Sequence, residues 1–185
     1  QSCLVIGQGS AGLFWDFQLK LLGAEKIISI EPLSWRRELG LSYGVDQAID
    51  VVGDVAVDAV KDMTDGLGAD LVIEAVGSTE TLSQAFHFVR DEGNVVLFGL
   101  PESEGPVPFD YSQMFKSRAN AFTVLGSQDE KGLKSYVEAV RLISSGQIDV
   151  NPIISHRVNI ADIDSAFEVA RERVDGAVKI GVTFD

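Results

Sequence analysis

The 185-residue sequence is poor in the side chains that form disulfides and metal sites. Its one cysteine, Cys3, cannot form a disulfide within the chain, which excludes an internally bridged secreted scaffold. The only histidines, His87 and His156, lie far from Cys3 and from each other in the sequence. Since zinc needs several Cys, His or carboxylate ligands brought together, we expect no metal site in this chain.

Basic residues and long apolar runs are also scarce. The chain has 15 Lys and Arg against 28 Asp and Glu, a formal net charge of −13, which weighs against nucleic acid and anionic membrane surfaces as partners. No apolar run approaches the roughly 20 residues of a membrane-spanning helix, and no signal-peptide pattern is present. We therefore expect a cytoplasmic protein with a small-molecule ligand.

What the sequence does contain is a regular alternation of short apolar runs and helical patterns, from residue 3 to about 146. Strands are predicted at Cys3–Ile6, Lys26–Glu31, 46–50, 69–77, 94–100 and 121–127, and helices are predicted between them, one of them over 79–93. The run at 69–77 is almost continuously apolar, so it should be a central strand covered on both faces. The alternation predicts an α/β fold with a doubly wound parallel sheet and helices on both faces.

A glycine motif directly follows the first predicted strand. Gly7, Gly9 and Gly12 occur in the order G-x-G-x-x-G, and a helical pattern begins at Ser10 and Ala11. In a dinucleotide-binding (Rossmann) turn, these glycines allow the tight turn, the approach of a pyrophosphate and close packing of helix on strand. The helix start supplies N–H groups and a positive dipole end, which an acidic protein needs to bind a phosphate.

The acid that ends the second predicted strand completes this pattern. Glu31 follows Gly12 by 19 residues, close to the spacing at which an acid binds the adenosine ribose. A carboxylate there accepts hydrogen bonds from ribose hydroxyls and repels a 2′-phosphate, which favours NAD over NADP. Arg36 and Arg37 follow closely and leave NADP open, although a solvated helix face is the favoured interpretation of Arg37.

In this order and spacing, several motifs resemble the C-terminal part of the medium-chain dehydrogenase/reductase family, the zinc-dependent alcohol and polyol dehydrogenases. The motifs are "VIGQGSAGL", "KIISIE", "LGADLVIEAVGS", "GNVVLFGL", "VLGS", "ISHRVNIADIDSAFE" and "AVKIGVTF". They cover nearly the whole chain. The glutamate at position 31 departs from the aspartate more usual in the family, and its additional methylene loosens the ribose geometry.

The resemblance implies a role for each matching residue. Arg36 corresponds to a basic residue beside the ribose, and Val76, Gly77 and Ser78 correspond to backbone at the nicotinamide side. Phe98, Gly99 and Leu100 correspond to a strand end that meets the carboxamide. Lys179 corresponds to a basic residue that reaches the pyrophosphate, and an ordinary exposed strand lysine is an equal alternative. The cofactor-binding set expected for the chain is therefore Gly7, Gly9, Ser10, Ala11, Gly12, Glu31, Arg36, Val76, Gly77, Ser78, Phe98, Gly99, Leu100 and Lys179.

The family's catalytic zinc and proton relay belong to an N-terminal domain with no counterpart in this sequence. The sequence begins with Gln1 at the edge of a predicted strand, so we expect the back part of a longer chain. Residues 1–152 are predicted to form the NAD-binding domain, and 153–185 to belong with the absent catalytic domain. No catalytic residue and no metal ligand is therefore expected here, and zinc is expected only in the missing domain.

The predicted function is cofactor binding within an NAD-dependent, zinc-type dehydrogenase that transfers hydride from a secondary alcohol or polyol. Three alternatives remain open: an NADPH-dependent zinc-free quinone reductase, an S-adenosylmethionine methyltransferase and a non-catalytic NAD-sensing module. Glu31 counts against the first, and the "AVGS" and "VKIGVTF" motifs count against the second. We also expect a homo-oligomer, a dimer as is typical of the family, formed through the apolar strand predicted at 121–127.

Overall fold

The computed structural model describes residues 1–101, 105–124 and 130–184. The chain forms two compact units, Gln1–Val124 and Leu125–Asp185. The predicted boundary between 1–152 and 153–185 concerns which domain the last segment belongs with, and it stays a prediction.

A parallel sheet of six strands is the frame of the first unit. The strands are β1 (Ser2–Ile6), β2 (Lys26–Ile30), β3 (Gln47–Ile49), β4 (Ala69–Glu74), β5 (Val89–Leu97) and β6 (Asn120–Thr123). They lie in the order β3-β2-β1-β4-β5-β6. The order reverses direction between β1 and β4, which is where ligands bind in open α/β sheets. The predicted doubly wound α/β fold is confirmed.

Helices connect the strands and cover both faces of the sheet. They are α1 (Ser10–Leu21), α2 (Ser34–Ser42), α3 (Gly53–Met63), α4 (Thr79–Phe88) and α5 (Tyr111–Ser117). On one face, Leu4 and Ile28 pack with Phe86 of α4. On the other face, Val5 and Ile27 pack with Leu19 of α1. The central strands are thus buried on both sides, as the continuous apolar run of β4 predicted.

One predicted helix is too long. The helical pattern over 79–93 continues as α4 only to Phe88, and β5 begins at Val89, which is paired with Ala69. Val89 has extended backbone, and β-branched valine packs well in a strand. Glu92 then takes φ 59°, and pairing with β4 resumes at Asn94. The apolar residues of 79–93 therefore serve a helix first and a strand afterwards.

The second unit contains a helix followed by a β-α-β motif. Helix α6 (Lys134–Ser144) precedes strand β7 (Ile154–Asn159), helix α7 (Ile163–Glu172) and strand β8 (Lys179–Thr183). The two strands pair in parallel.

Candidate dinucleotide-binding site

The residues of the predicted site converge because the carboxyl ends of three parallel strands meet at one edge of the sheet. Ile6 of β1 is paired with Ile30 of β2 and with Glu74 of β4. The Gly7 N–H donates to the Ile30 carbonyl at 2.9 Å, and the Ala75 N–H donates to the Ile6 carbonyl at 3.0 Å. The turns that follow these strands therefore lie side by side.

Two glycines of the turn after β1 are required by the chain itself. Gly7 has φ +90°, in the left-handed region that favours glycine, and a Cβ there would collide with the Val76 side chain. A Cβ at Gly12 would collide with the Gly7 carbonyl oxygen. Helix α1 can thus approach the end of β1 only because position 12 has no side chain.

Gly9 is different, because nothing in the described chain requires a glycine there. Its backbone (φ −70°, ψ −177°) suits any residue, and a Cβ would have only Arg36 Nη1 within 4 Å, at 3.9 Å. Gly9 is the N-cap of α1, and no described side chain caps that end of the helix. Uncapped N–H groups beside a residue that has no side chain are what a pyrophosphate needs. The glycine turn thus fits a dinucleotide.

Glu31 braces the site in addition to its predicted role. The side chain is only 5% exposed, and its two oxygens accept hydrogen bonds from the backbone of Gln8 (2.9 Å) and Leu33 (3.0 Å). The carboxylate thereby ties the glycine turn to the start of α2. Each oxygen retains a second lone pair that could accept a hydrogen bond from a ribose hydroxyl. Ribose binding by Glu31 stays a prediction.

The two arginines after Glu31 differ in their surroundings. The Arg36 guanidinium lies beside the open space at Gly9, where the resemblance places a ribose-side residue. Arg37 donates from Nη1 to the carbonyls of Glu31 (2.8 Å) and Pro32 (2.6 Å), and its side chain is only 20% exposed. The favoured interpretation of Arg37 as a solvated residue is therefore wrong. It holds the backbone that carries Glu31.

The predicted nicotinamide-side segments, 76–78 and 98–100, are also in contact. A Cβ at Gly77, which has φ +90°, would collide with the Leu100 carbonyl oxygen, and a Cβ at Gly99 would collide with the Gly77 N–H. Phe98 packs edge-on against Trp15 of α1, with ring centroids 5.7 Å apart. The structure thus joins these two segments to each other and to the helix that follows the glycine turn.

Glu74 connects these segments, and the sequence analysis missed it. Its side chain is fully buried, and Oε1 accepts hydrogen bonds from the N–H groups of Val76 (2.8 Å) and Gly77 (2.9 Å). Its backbone carbonyl accepts from the N–H groups of Phe98 and Gly99, both at 2.9 Å. A polar residue within the apolar run of β4 was the available signal.

Lys179 lies in the second unit, at the start of β8. It is exposed, and its carbonyl accepts a hydrogen bond from the Ser155 hydroxyl at 3.1 Å. Its predicted reach to the pyrophosphate therefore stays a prediction.

The described residues contain no group of three or more His, Cys, Asp or Glu side chains that could hold a metal ion. Cys3 is buried in β1, and burial raises the pKa of its thiol. The His87 Nε2 lies 3.0 Å from Asp110 Oδ2, and the half-buried His156 contacts the Ser155 hydroxyl at 2.9 Å. These three candidate ligands do not fit a zinc site.

A buried carboxyl group lies on α1, below the glycine turn. Asp16 is fully buried, and neither oxygen has a hydrogen bond of ordinary geometry within the described chain. Burial raises the pKa of Asp16 to about 8, and the neighbouring Gln8 side chain offsets part of the rise. Gln8 is itself fully buried, and a Cβ at Gly40 of α2 would collide with its Oε1.

Comparisons with known proteins agree with this geometry. The zinc-binding dehydrogenase family profile matches residues 12–145. The chain belongs to this family. It is 33% identical over 179 residues to an L-threonine 3-dehydrogenase from Pyrococcus abyssi, an alignment that covers 96% of this chain and 50% of that protein.

Solved structures of the family show the same fold. An alcohol dehydrogenase from Thermus sp. ATN1 superimposes with a TM-score of 0.84 at 29% identity, covering 100% of this chain and 51% of that one. A zinc-dependent alcohol dehydrogenase from Streptococcus pneumonia superimposes with a TM-score of 0.88 at 25% identity, covering 100% of this chain and 52% of that one. The chain thus spans about half the length of these family members. No helix among the described residues is both long and apolar enough to cross a membrane.

Because the pKa of Asp16 is raised, its effect on the free energy of unfolding should depend on pH in the opposite sense to that of an ordinary paired carboxylate. Asp16 is protonated in the folded chain up to about pH 8, whereas in the unfolded chain it ionises near its ordinary value of 3.8. Its contribution to stability is therefore fully present below about pH 4 and is lost progressively as pH rises to about 8. Asp16→Asn should flatten the fall in free energy of unfolding between pH 5 and pH 8, measured by urea denaturation.

Asp70→Asn is the matched control. Hydrogen bonds from Arg90 and from the Ser2 N–H lower the pKa of Asp70. Both its folded and unfolded forms are therefore ionised between pH 5 and pH 8. Asp70→Asn should lower stability throughout this range without changing the slope. A slope for Asp16→Asn equal to that of the unsubstituted chain would contradict the prediction.

Proposed function

We propose that the chain is the cofactor-binding part of an NAD-dependent alcohol dehydrogenase. The open surface at Gly9 supports this most directly, because neither the backbone nor the packing of the described chain accounts for that glycine. The residues proposed to hold the cofactor are Gly7, Gly9, Ser10, Ala11, Gly12, Glu31 and Arg36 at the adenosine and pyrophosphate, 76–78 and 98–100 at the nicotinamide, and Lys179. When bound, the nicotinamide supplies the hydride acceptor, and the chain's own residues bind and orient it.

Gly9 and Gly12 allow ligand binding to be separated from folding. Gly9→Ala should leave the free energy of unfolding within about 1 kcal/mol, because poorer N-capping and reduced unfolded-state entropy offset each other. The same change should weaken NAD binding by about tenfold or more, measured calorimetrically. Gly12→Ala should instead destabilise the fold by about 3 kcal/mol or more, because its Cβ meets backbone. NAD affinity unchanged by Gly9→Ala would contradict the assignment of the pyrophosphate to this turn.

Glu31 is proposed to select NAD over NADP, since a buried carboxylate beside the ribose would repel a 2′-phosphate. The chain should bind NAD more tightly than NADP. Glu31→Ala should bring the two affinities closer together, mainly by weakening NAD binding about tenfold. Glu31→Gln removes the charge but keeps a side-chain oxygen for only one of the Gln8 and Leu33 N–H groups, so it tests the loss of the charge together with the loss of one hydrogen bond.

Glu25→Gln is the control for these variants, because Glu25 is an exposed acid at the other end of β2. Calorimetric titration with both cofactors makes the comparison. Tighter binding of NADP to the unsubstituted chain would overturn the Glu31 assignment and favour the NADPH-dependent alternative.

We propose that the substrate is a small alcohol, a polyol or a hydroxy amino acid. The matched relatives are named as alcohol and L-threonine dehydrogenases, which supports a substrate with a hydroxyl group. The catalytic zinc and the substrate pocket are proposed to lie in a further domain, with which residues 153–185 belong. A cytoplasmic location is part of this proposal.

The 185-residue chain alone is therefore expected to bind NAD without oxidising an alcohol. Purified chain, NAD and a panel of alcohols, polyols and L-threonine, with and without zinc, should give no NADH above background. Steady NADH production would contradict this. A coding sequence upstream of the chain with a Cys–His–Glu zinc pattern would distinguish a dehydrogenase from an NAD-sensing module.

Self-association through β6 is proposed as well. β6 is an edge strand of the sheet, its four residues are exposed, and Phe122 is 51% exposed. Of the predicted strand at 121–127, residues 125–127 lie outside the described chain. Sedimentation should show a dimer that Phe122→Lys dissociates, while Val55→Lys, at an exposed apolar site on α3, should have no effect. A monomer at high concentration of the unsubstituted chain would contradict the proposal.

A further inference from the structure

A buried carboxylate, Glu74, holds together the two segments proposed to meet the nicotinamide. Its Oε1 accepts hydrogen bonds from the N–H groups of Val76 and Gly77 and from the Thr81 hydroxyl, at 2.8 to 2.9 Å. Its main-chain carbonyl accepts hydrogen bonds from the N–H groups of Phe98 and Gly99, both at 2.9 Å. One residue thus anchors the turn after β4 and the end of β5.

These bonds also orient the peptide groups of the turn. The described chain contains no cis peptide bond, so each C=O points opposite to the N–H of the same peptide group. Because the N–H groups of Val76 and Gly77 point at Glu74, the carbonyls of Ala75 and Val76 point away from it. Carbonyls that point away from Glu74 are acceptors for an amide NH₂ group, which the nicotinamide carboxamide carries.

The negative charge of Glu74 is not required for packing. A glutamine has nearly the same volume and its oxygen could accept the same three hydrogen bonds, without the cost of a buried charge. Oε2 is buried without a hydrogen-bond partner in the described chain, and a Cβ at Gly99 would lie 2.5 Å from it. What the charge adds is strength, since hydrogen bonds to a carboxylate are roughly twice as strong as neutral ones.

We infer that Glu74 is a positioning residue for the nicotinamide half of the cofactor. It touches neither the cofactor nor the substrate. Its charge holds the Val76 and Gly77 peptides in the orientation that receives the carboxamide. This inference rests on the proposed NAD-binding function.

The test compares NAD with ADP-ribose, which lacks only the nicotinamide. Glu74→Gln should weaken NAD by about five- to tenfold, as expected for the loss of charge assistance from two or three hydrogen bonds. The affinity for ADP-ribose should stay within about twofold, because the adenosine and pyrophosphate contacts lie on other elements. A general disturbance of the folded structure would weaken the binding of NAD and of ADP-ribose equally. Calorimetry gives both affinities.

Two further variants keep the test informative if Glu74→Gln folds poorly. Thr81→Val removes one of the three donors to the Glu74 Oε1. It should change the ratio of the NAD affinity to the ADP-ribose affinity in the same direction as Glu74→Gln, by a smaller factor. Asp70→Asn is the matched control, since Asp70 is a hydrogen-bonded acid at the other end of β4. It should lower stability and leave the ratio unchanged.

Saturation-transfer NMR provides a second measurement, because it reports the adenine and nicotinamide protons of bound NAD separately. In Glu74→Gln the nicotinamide signals should fall relative to the adenine signals. An unchanged ratio of affinities or of signals would overturn the inference, as would an unsubstituted chain that binds NAD no better than ADP-ribose. If the unsubstituted chain bound neither ligand, the proposed function itself would fail.

Discussion

The approach of α1 to the end of β1 at Gly12 is the contact on which the candidate site depends. Backbone meets backbone there, since a single Cβ would strike the Gly7 carbonyl oxygen. This approach sets where the helix begins, and therefore where its positive end and its uncapped N–H groups lie. It also places Trp15 against Phe98, so the position of the helix is coupled to the segment after β5.

Two buried acids hold the turns in place by accepting hydrogen bonds from their backbone N–H groups. Glu31 ties the glycine turn to α2, and Glu74 ties the turn after β4 to the end of β5. Each acid ends or follows a central strand, and each accepts backbone N–H groups that point into the protein. In the proposed function, an acidic chain of net charge −13 offers backbone N–H groups to a phosphate, while the carboxylates of Glu31 and Glu74 accept hydrogen bonds from the chain's own backbone.

Much of this could be predicted from the sequence, because the evidence is local. Apolar periodicity located the strands, and the spacing of Gly7, Gly9, Gly12 and Glu31 located the turn. The roles of Arg37, Glu74 and Asp16 could not be predicted, since they depend on which elements pack against each side chain. The helix over 79–93 was too long for a similar reason: it ends where Val89 pairs with Ala69 of β4, a contact between residues that are distant in the sequence.

The isolation of the only thiol has a practical consequence. Cys3 is 3% exposed in β1, between β2 and β4, and burial keeps it in the unreactive protonated form. An alkylating reagent can modify it only when the centre of the sheet opens. The rate of thiol modification therefore records how often that opening occurs. Because the chain has no second cysteine, this rate belongs to one location and needs no engineered label.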